Sequence, residues 1–262
     1  MIDRMKKFKK IFEVASCEAL TPDSVLLKAT PVDGEMPEIL GGQFVNILVP
    51  QAPGAFLRRP ISVCNVEDGE LWLFVKNVGK GSAWLCSLRS GAELDMVLPL
   101  GHGFTMPKKK GASVLLVGGG VGVAPLLYWG RILKQNGYSP EFLLGAATAC
   151  QLTLIDEFES VGKVHLTTDD GSKGVKGFVV RHPVIASEDR MPDMIYCCGP
   201  TPMMKSVARI ARERHIDCEV SLENHMACGI GACLCCVENT KEGHKCVCTT
   251  GPVFNIDNLD WK

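Results

Sequence analysis

Hydrophobic and polar positions along the chain fall into three successive rhythms. Over roughly residues 8–105, short runs rich in β-forming residues follow one another: KIFEVASCEAL, DSVLLKATPV, QFVNILVP, PISVCNVE, ELWLFVKNV and AELDMVLPL. Pro22, Gly34, Gly41-Gly42, Pro53-Gly54, Asp68-Gly69 and Gly91 punctuate them. Six such runs at this spacing predict an antiparallel barrel or sandwich. Over 112–220 the runs SVLLVGG, EFLLGAA, KVHLTTD, DMIYCCGP and IDCEVSLE alternate with PLLYWGRILKQNG, LIDEFESV and PMMKSVARIARERH, which have helical length and period. That alternation predicts a parallel sheet with helical crossovers. From 221 to 262 no period is convincing. Such a segment is too small to bury a core alone and calls for a staple.

Composition narrows the function classes. A chain of 262 residues suits two domains and a small appendix. Charged residues make up 22% and the net charge is −1, with no basic block of the kind that lines a nucleic-acid groove. The opening MIDRMKKFKK is basic but lacks the apolar core and cleavage site of a signal peptide, so it reads as a solvated leader into the first strand. Residues 111–130 carry no charge, a length nominally sufficient to span a bilayer. Their six glycines and Pro125 instead predict strand, turn and helix. Thirteen cysteines without a secretory signal point to reduced thiols and a cytoplasmic location. Seven of them (Cys17, Cys64, Cys86, Cys150, Cys197, Cys198 and Cys218) are scattered, as buried thiols are.

The other six crowd into residues 228–248. Cys228, Cys233 and Cys236 stand in C-x4-C-x2-C, the spacing of a plant-type two-iron cluster loop whose fourth thiolate arrives later. Gly229 and Gly231 suit a loop that wraps backbone amides around sulfur. Zinc stays open, because Cys233-x2-Cys236 with Cys246-x-Cys248 could form a four-cysteine tetrahedral site. A redox-active thiol pair is a third reading.

SVLLVGGGVGVAP places Gly118, Gly119, Gly120 and Gly122 between a strand and a helix, where amides and the helix dipole attract phosphate. It departs from G-x-G-x-x-G, and no acid ends EFLLGAA to hold a ribose hydroxyl. A tight turn without a ligand is the alternative. YCCGPTPMM puts Cys198, Gly199 and Pro200 at a strand's carboxyl end, where open α/β sheets bind ligands. Pro200 and Pro202 could equally do no more than start a helix.

Taken in order, FLRRPISV, VGKGSAWL, LPLGHGF, VGGGVGVAP, CCGPTPMM and SLENHMACGIGAC resemble the ferredoxin-reductase-like flavoproteins over nearly the whole chain. The last motif with CVCTTGPVF resembles, among them, the electron-transfer subunits of type B dihydroorotate dehydrogenases. The resemblance implies a multidomain β plus α/β fold. Its expected parts are an antiparallel FAD-binding β-barrel (1–105), a doubly wound NAD-binding α/β domain (106–220) and a small C-terminal [2Fe–2S] segment (221–262).

It further implies that Arg59, Pro60, Ile61 and Ser62 hold the flavin. Arg59 is a permanently charged fork suited to phosphate, and Ser62 would reach the ring. Phe74, Val75 and Lys76 would line FAD, with Lys76 where an arginine often stands, and Gly81-Ser82 match a Gly-Thr pair at the diphosphate. In isolation Arg59 is equally a surface charge, Ser62 a strand filler and Glu223 an exposed carboxylate. The family's fourth cluster cysteine precedes Gly-Pro by two residues. That rule selects Cys248 beside Cys228, Cys233 and Cys236 and leaves Cys235 and Cys246 spare. Cys198 and Glu223 fall near the nicotinamide–flavin contact as the catalytic pair. Hydride transfer there is direct, so the protein supplies position and electrostatics.

The implied role is in pyrimidine biosynthesis. Electrons from dihydroorotate would enter through a partner's FMN, cross the cluster to FAD and leave as hydride on NAD⁺. The partner is an FMN-containing dihydroorotate dehydrogenase catalytic subunit, in a heterotetramer with two of each. NAD is favoured over NADP because GAATACQL lacks arginine. Two alternatives stand beside it: a related subunit of an NAD(P)H–ferredoxin or sulfide oxidoreductase, and a zinc-stapled nucleotide-binding regulatory module, which would be colourless.

Overall fold

The computed structural model describes residues 6–50 and 54–261. The first five residues of the basic leader and Pro53 of the Pro53-Gly54 turn lie outside the described residues. All six expected strands form: β1 (Phe8–Thr21), β2 (Ser24–Pro31), β3 (Phe44–Ile47), β4 (Arg59–Glu67), β5 (Glu70–Lys76) and β6 (Glu93–Leu100). They close into an antiparallel barrel in the order β1-β2-β5-β4-β3-β6. Period-two alternation decides which side chains go where. On β5, Leu71, Leu73 and Val75 fill the barrel, whereas Trp72 and Phe74 point the other way into the neighbouring domain. Helix α1 (Lys80–Cys86) follows β5 and buries Leu85 under the barrel. Gly79 and Gly81 at its start read as turn residues, so its sequence does not announce a helix.

The second domain contains β7 (Val114–Gly119), α2 (Ala124–Gln135), β8 (Pro140–Ala146), α3 (Ile155–Val161), β9 (Lys163–Thr168), β10 (Val175–Lys176), α4 (Pro183–Ala186), β11 (Met194–Cys198), α5 (Thr201–Glu213) and β12 (Asp217–Ser221). The uncharged stretch 111–130 therefore forms β7, one 3₁₀ turn (Gly120–Val123) and most of α2. No helix among the described residues is long and apolar enough to cross a membrane.

Beyond β12 come a hairpin of β13 (Val237–Thr240) and β14 (Gly243–Cys246), then α6 (Val247–Thr250) and β15 (Val253–Asn255). The large sheet has the order β10-β9-β8-β7-β11-β12-β15, parallel except for β15, which pairs antiparallel with β12. The chain winds outward from β7 to β10, then returns to β11 on the other side of β7. That reversal makes β7/β11 the topological switch point. Cys236, Val247, Cys248, Phe254, Ile256 and Leu259 share one buried core with Val117, Ile195 and Val220. The C-terminal segment thus borrows the core it cannot build.

Several contacts lock barrel to sheet. Arg131 on α2 pairs with Glu67 on β4 and, at 2.6 Å, with Glu157 on α3. Glu219 on β12 accepts from the Thr105 N–H at 3.0 Å and from its hydroxyl at 2.5 Å. Tyr196 on β11 donates to the Thr105 carbonyl at 2.7 Å.

Candidate functional site

A cavity of about 430 Å³ opens between barrel and sheet. Phe74 and Lys76 form its barrel wall; Gly119, Gly120, Pro200 and Met203 form its floor at the switch point. Gly118 and Cys198 face each other in register at the carboxyl ends of β7 and β11. Gly122 is required by space: a Cβ there would lie 2.5 Å from the Gly199 nitrogen and Cα. The glycine turn and the Cys198-Gly199-Pro200 turn, far apart in sequence, are therefore in van der Waals contact. Gly118 packs beneath Val123, so it closes strand on helix, while Gly119 and Gly120 face the cavity.

Cys198 is buried, and burial followed by the Glu223 charge raises its thiol pKa well above the ordinary value. Such a thiol stays protonated, which suits a neutral wall for nicotinamide and not a nucleophile. The Glu223 side chain is exposed, and partial desolvation raises its pKa. The fold thus brings Cys198 and Glu223 together.

One acidic residue of the cavity wall escapes the sequence reading. Asp169 follows β9 and lines the cavity beside Ala146 and Ala147, its N–H donating to the Ala146 carbonyl at 3.1 Å. The end of EFLLGAA carries no acid, but the next strand does, in KVHLTTD, where the signal was a carboxylate directly after an apolar run. Lys76 is the one cation among the lining residues, and it lies 3.3 Å from Asp23. A wall with an acid and no free cation suits a ribose with free hydroxyls over a phosphorylated one.

On the barrel, Arg59 begins β4, and its guanidinium donates to the carbonyls of Leu57 at 2.6 Å and Arg58 at 3.4 Å. No carboxylate lies within ion-pair distance of it among the described residues. Gly81 leaves the space this guanidinium occupies. The Ser82 hydroxyl accepts from the Val78 N–H at 2.9 Å and donates to the Gly79 carbonyl at 3.0 Å, so it closes the turn itself. Any contact of Gly81-Ser82 with a diphosphate is left to the backbone. Ile61 and Ser62 sit half-buried on β4 opposite Val45 and Phe44, and Pro60 opposite Asn46. Val75 is buried inside the barrel, so only its backbone is available to a ligand. A guanidinium with no carboxylate partner among the described residues, set over a glycine, fits the phosphates of FAD.

The cysteine loop has the geometry of a cluster cradle. The Cys228 sulfur accepts from the amides of Ile230 (3.4 Å), Ala232 (3.3 Å) and Cys233 (3.4 Å). Burial raises the pKa of this thiol, but these amides outweigh it and leave the value lowered to about 6. Cys233 accepts from the Cys228 N–H at 3.5 Å, and buried Cys236 from the Cys248 N–H at 3.4 Å. Burial, then Cys236, pushes Cys248 up to about 12. Cys235 is exposed, whereas Cys246 is half-buried and also near Cys236. Among the described residues, no three metal-binding side chains converge on a single ion. Amides aimed at thiolate sulfur fit the residues to an iron–sulfur cluster.

A closed barrel, a switch-point cleft and a cysteine cradle on one chain define an NAD-linked iron–sulfur flavoprotein of the ferredoxin-reductase type. Residues 116–209 match the oxidoreductase NAD-binding domain, and residues 223–260 the iron–sulfur cluster binding domain of dihydroorotate dehydrogenase B. The dihydroorotate dehydrogenase B (NAD(+)) electron transfer subunit of Shouchella clausii is 40% identical over 83% of this chain and 85% of its own. That of Clostridium perfringens is 38% identical over 83% and 86%. The chain belongs to the family of dihydroorotate dehydrogenase B electron transfer subunits.

Among solved structures, the NADH-dependent reduced ferredoxin-NADP oxidoreductase superposes with a TM-score of 0.85 at 32% identity, covering 95% of this chain and 90% of that one. The ferredoxin reductase of carbazole 1,9a-dioxygenase gives 0.68 at 26% identity, over 81% and 67%. FAD, a [2Fe–2S] cluster and NAD are the cofactors of this oxidoreductase subunit.

Proposed function

We propose that the chain is the NAD-linked half of a dihydroorotate-oxidising enzyme. Electrons from dihydroorotate arrive from FMN in a catalytic subunit, cross the [2Fe–2S] cluster to FAD, and leave as hydride on NAD⁺. The observation carrying this reading is the seating of the cysteine loop on the barrel strand that pairs with the flavin motif. Cys228, Cys233, Cys236 and Cys248 hold the cluster. Arg59 with Gly81-Ser82 holds the FAD diphosphate, and Ser62 and the β5 backbone hold the ring. Cys198 and Glu223 frame the contact between nicotinamide and flavin as neutral or weakly charged walls. The partner assembles as two of each subunit. It docks where Ile230 and Leu234 stand 51% and 62% exposed, beside the cluster ligands.

The test is reconstitution. Alone, the chain should oxidise NADH with artificial one-electron acceptors and give no dihydroorotate-dependent reduction of NAD⁺. Addition of the FMN subunit should supply that reaction, and removal of the cluster should abolish it without stopping NADH–FAD exchange. Dihydroorotate oxidation by the isolated chain would overturn the proposal. The likeness to the ferredoxin-NADP oxidoreductase favours one second reading, a ferredoxin as electron partner. Electron transfer with ferredoxin but not with the FMN subunit would select it.

A further inference from the structure

Asn46 on β3 is fully buried, on the face of the strand opposite to Val45 and Ile47, which fill the barrel. Its Nδ2 donates to the carbonyl of Cys228 at 3.3 Å. Only the NH₂ end of the amide can face a carbonyl, so the orientation is dictated by the partner. Oδ1 is buried and has no hydrogen-bond partner. A buried acceptor without a donor is costly, so an apolar residue would serve the barrel better if packing were the only demand. What the asparagine adds is the bond to the cluster loop.

The surroundings sharpen this. Gly229, at φ 71°, lies so close that a Cβ there would be 2.7 Å from Asn46 Nδ2 and 3.3 Å from Leu100. The glycine beside the first cluster cysteine is thus needed as much for this seat as for its backbone angle. From the other side, Asn46 pairs in register with Pro60 of the flavin strand, and Arg58 Nη1 donates to the Asn46 carbonyl at 3.3 Å. One residue therefore touches both the strand beginning at Arg59 and the peptide carrying Cys228.

We infer that Asn46 is a positioning residue for electron transfer: it fixes the cluster loop against the flavin strand and so sets the separation of cluster and flavin. Electron tunnelling falls steeply with distance, so a loop free to rock would slow the step even with both groups bound. The inference rests on the reading of the cysteine loop as the cluster site.

The experiment uses the full chain carrying FAD and cluster, with Asn46→Leu and the smaller Asn46→Ser. Leucine has no donor, and the serine hydroxyl, one atom along the side chain, is too short to reach the Cys228 carbonyl. Iron release to a chelator should speed up about fivefold or more. The spectrum of the reduced cluster should broaden in electron paramagnetic resonance, and FAD-to-cluster transfer should slow in stopped flow. Hydride transfer from NADH to FAD should stay within about twofold, because no group at that contact changes. Unchanged chelation and spectra in a folded variant would overturn the inference. So would a proportional loss of FAD binding and hydride transfer, which marks a purely structural residue. Absence of iron from the unsubstituted chain would instead sink the reading on which this rests. Hydrogen exchange of residues 228–233 in the iron-free chain would then still decide the contact, with faster exchange expected in both variants and equal exchange refuting it.

Discussion

Arg59 shows how far one side chain carries an argument. A guanidinium cannot lose its charge, and here it faces carbonyls and a glycine instead of a carboxylate. Deleting it in Arg59→Ala should weaken FAD binding by roughly 1.5–3 kcal/mol, about one to two orders of magnitude, in a flavin fluorescence titration. Arg59→Lys should recover only part, because an ammonium offers no fork. The cysteines permit a second prediction. Cys248→Ser should lose the visible absorbance of the cluster, while Cys246→Ser and Cys235→Ser keep it; the reverse pattern for Cys246 and Cys248 would refute the ligand set. Motif matching placed these residues but could not say which atoms are free. Ser82 spends its hydroxyl on Gly79 and Val78, and Val75 points into the barrel. Such facts depend on a partner several residues away or on the parity of a strand.

At the scale of elements, what could be read in advance followed from pattern strength. The six barrel strands and the strands from β7 to β12, apart from the two-residue β10, announce themselves by alternation or apolar runs between turn residues. Helix α1 does not, because Gly79 and Gly81 at its start read as turn residues, and neither does strand β15, at three residues. Strand β15 exists because β12 offers it an edge and because Phe254 finds a core already built around Val220. Phe254→Ala should therefore cost about 3–5 kcal/mol, read as a lower denaturation midpoint.

The Thr105–Glu219 latch predicts a pH effect. Burial raises the Glu219 pKa, and the two Thr105 hydrogen bonds only partly offset it. Between the ordinary carboxylate value and the raised one, the native state binds more protons than the unfolded state. Stability must fall as pH rises through that window. Glu219→Gln should remove this slope, leaving a pH-independent difference from the lost acceptor. Equal slopes in denaturant titrations across pH 4–7 would contradict the assignment.

Across the whole molecule, cleft, flavin motif and cysteine loop form a connected series, and the loop ends at solvent. Its outer surface carries two unfavourable features in one residue. Leu234 is 62% exposed and sits at φ 57°, a left-handed backbone that a leucine adopts at a cost. Neither feature helps the isolated chain, and both make sense if this leucine is buried in a complex. Asparagine tolerates that backbone angle far better, so Leu234→Asn should leave the loop at least as stable. It should also leave NADH oxidation by artificial acceptors unchanged, because its side chain touches neither cleft nor flavin strand. Association with the catalytic partner subunit should nevertheless weaken by about tenfold or more, as expected for loss of one large apolar contact worth roughly 1.5–3 kcal/mol at full burial. Titration calorimetry of the two purified subunits reads this directly. An unchanged dissociation constant would place the partner on another face of the molecule.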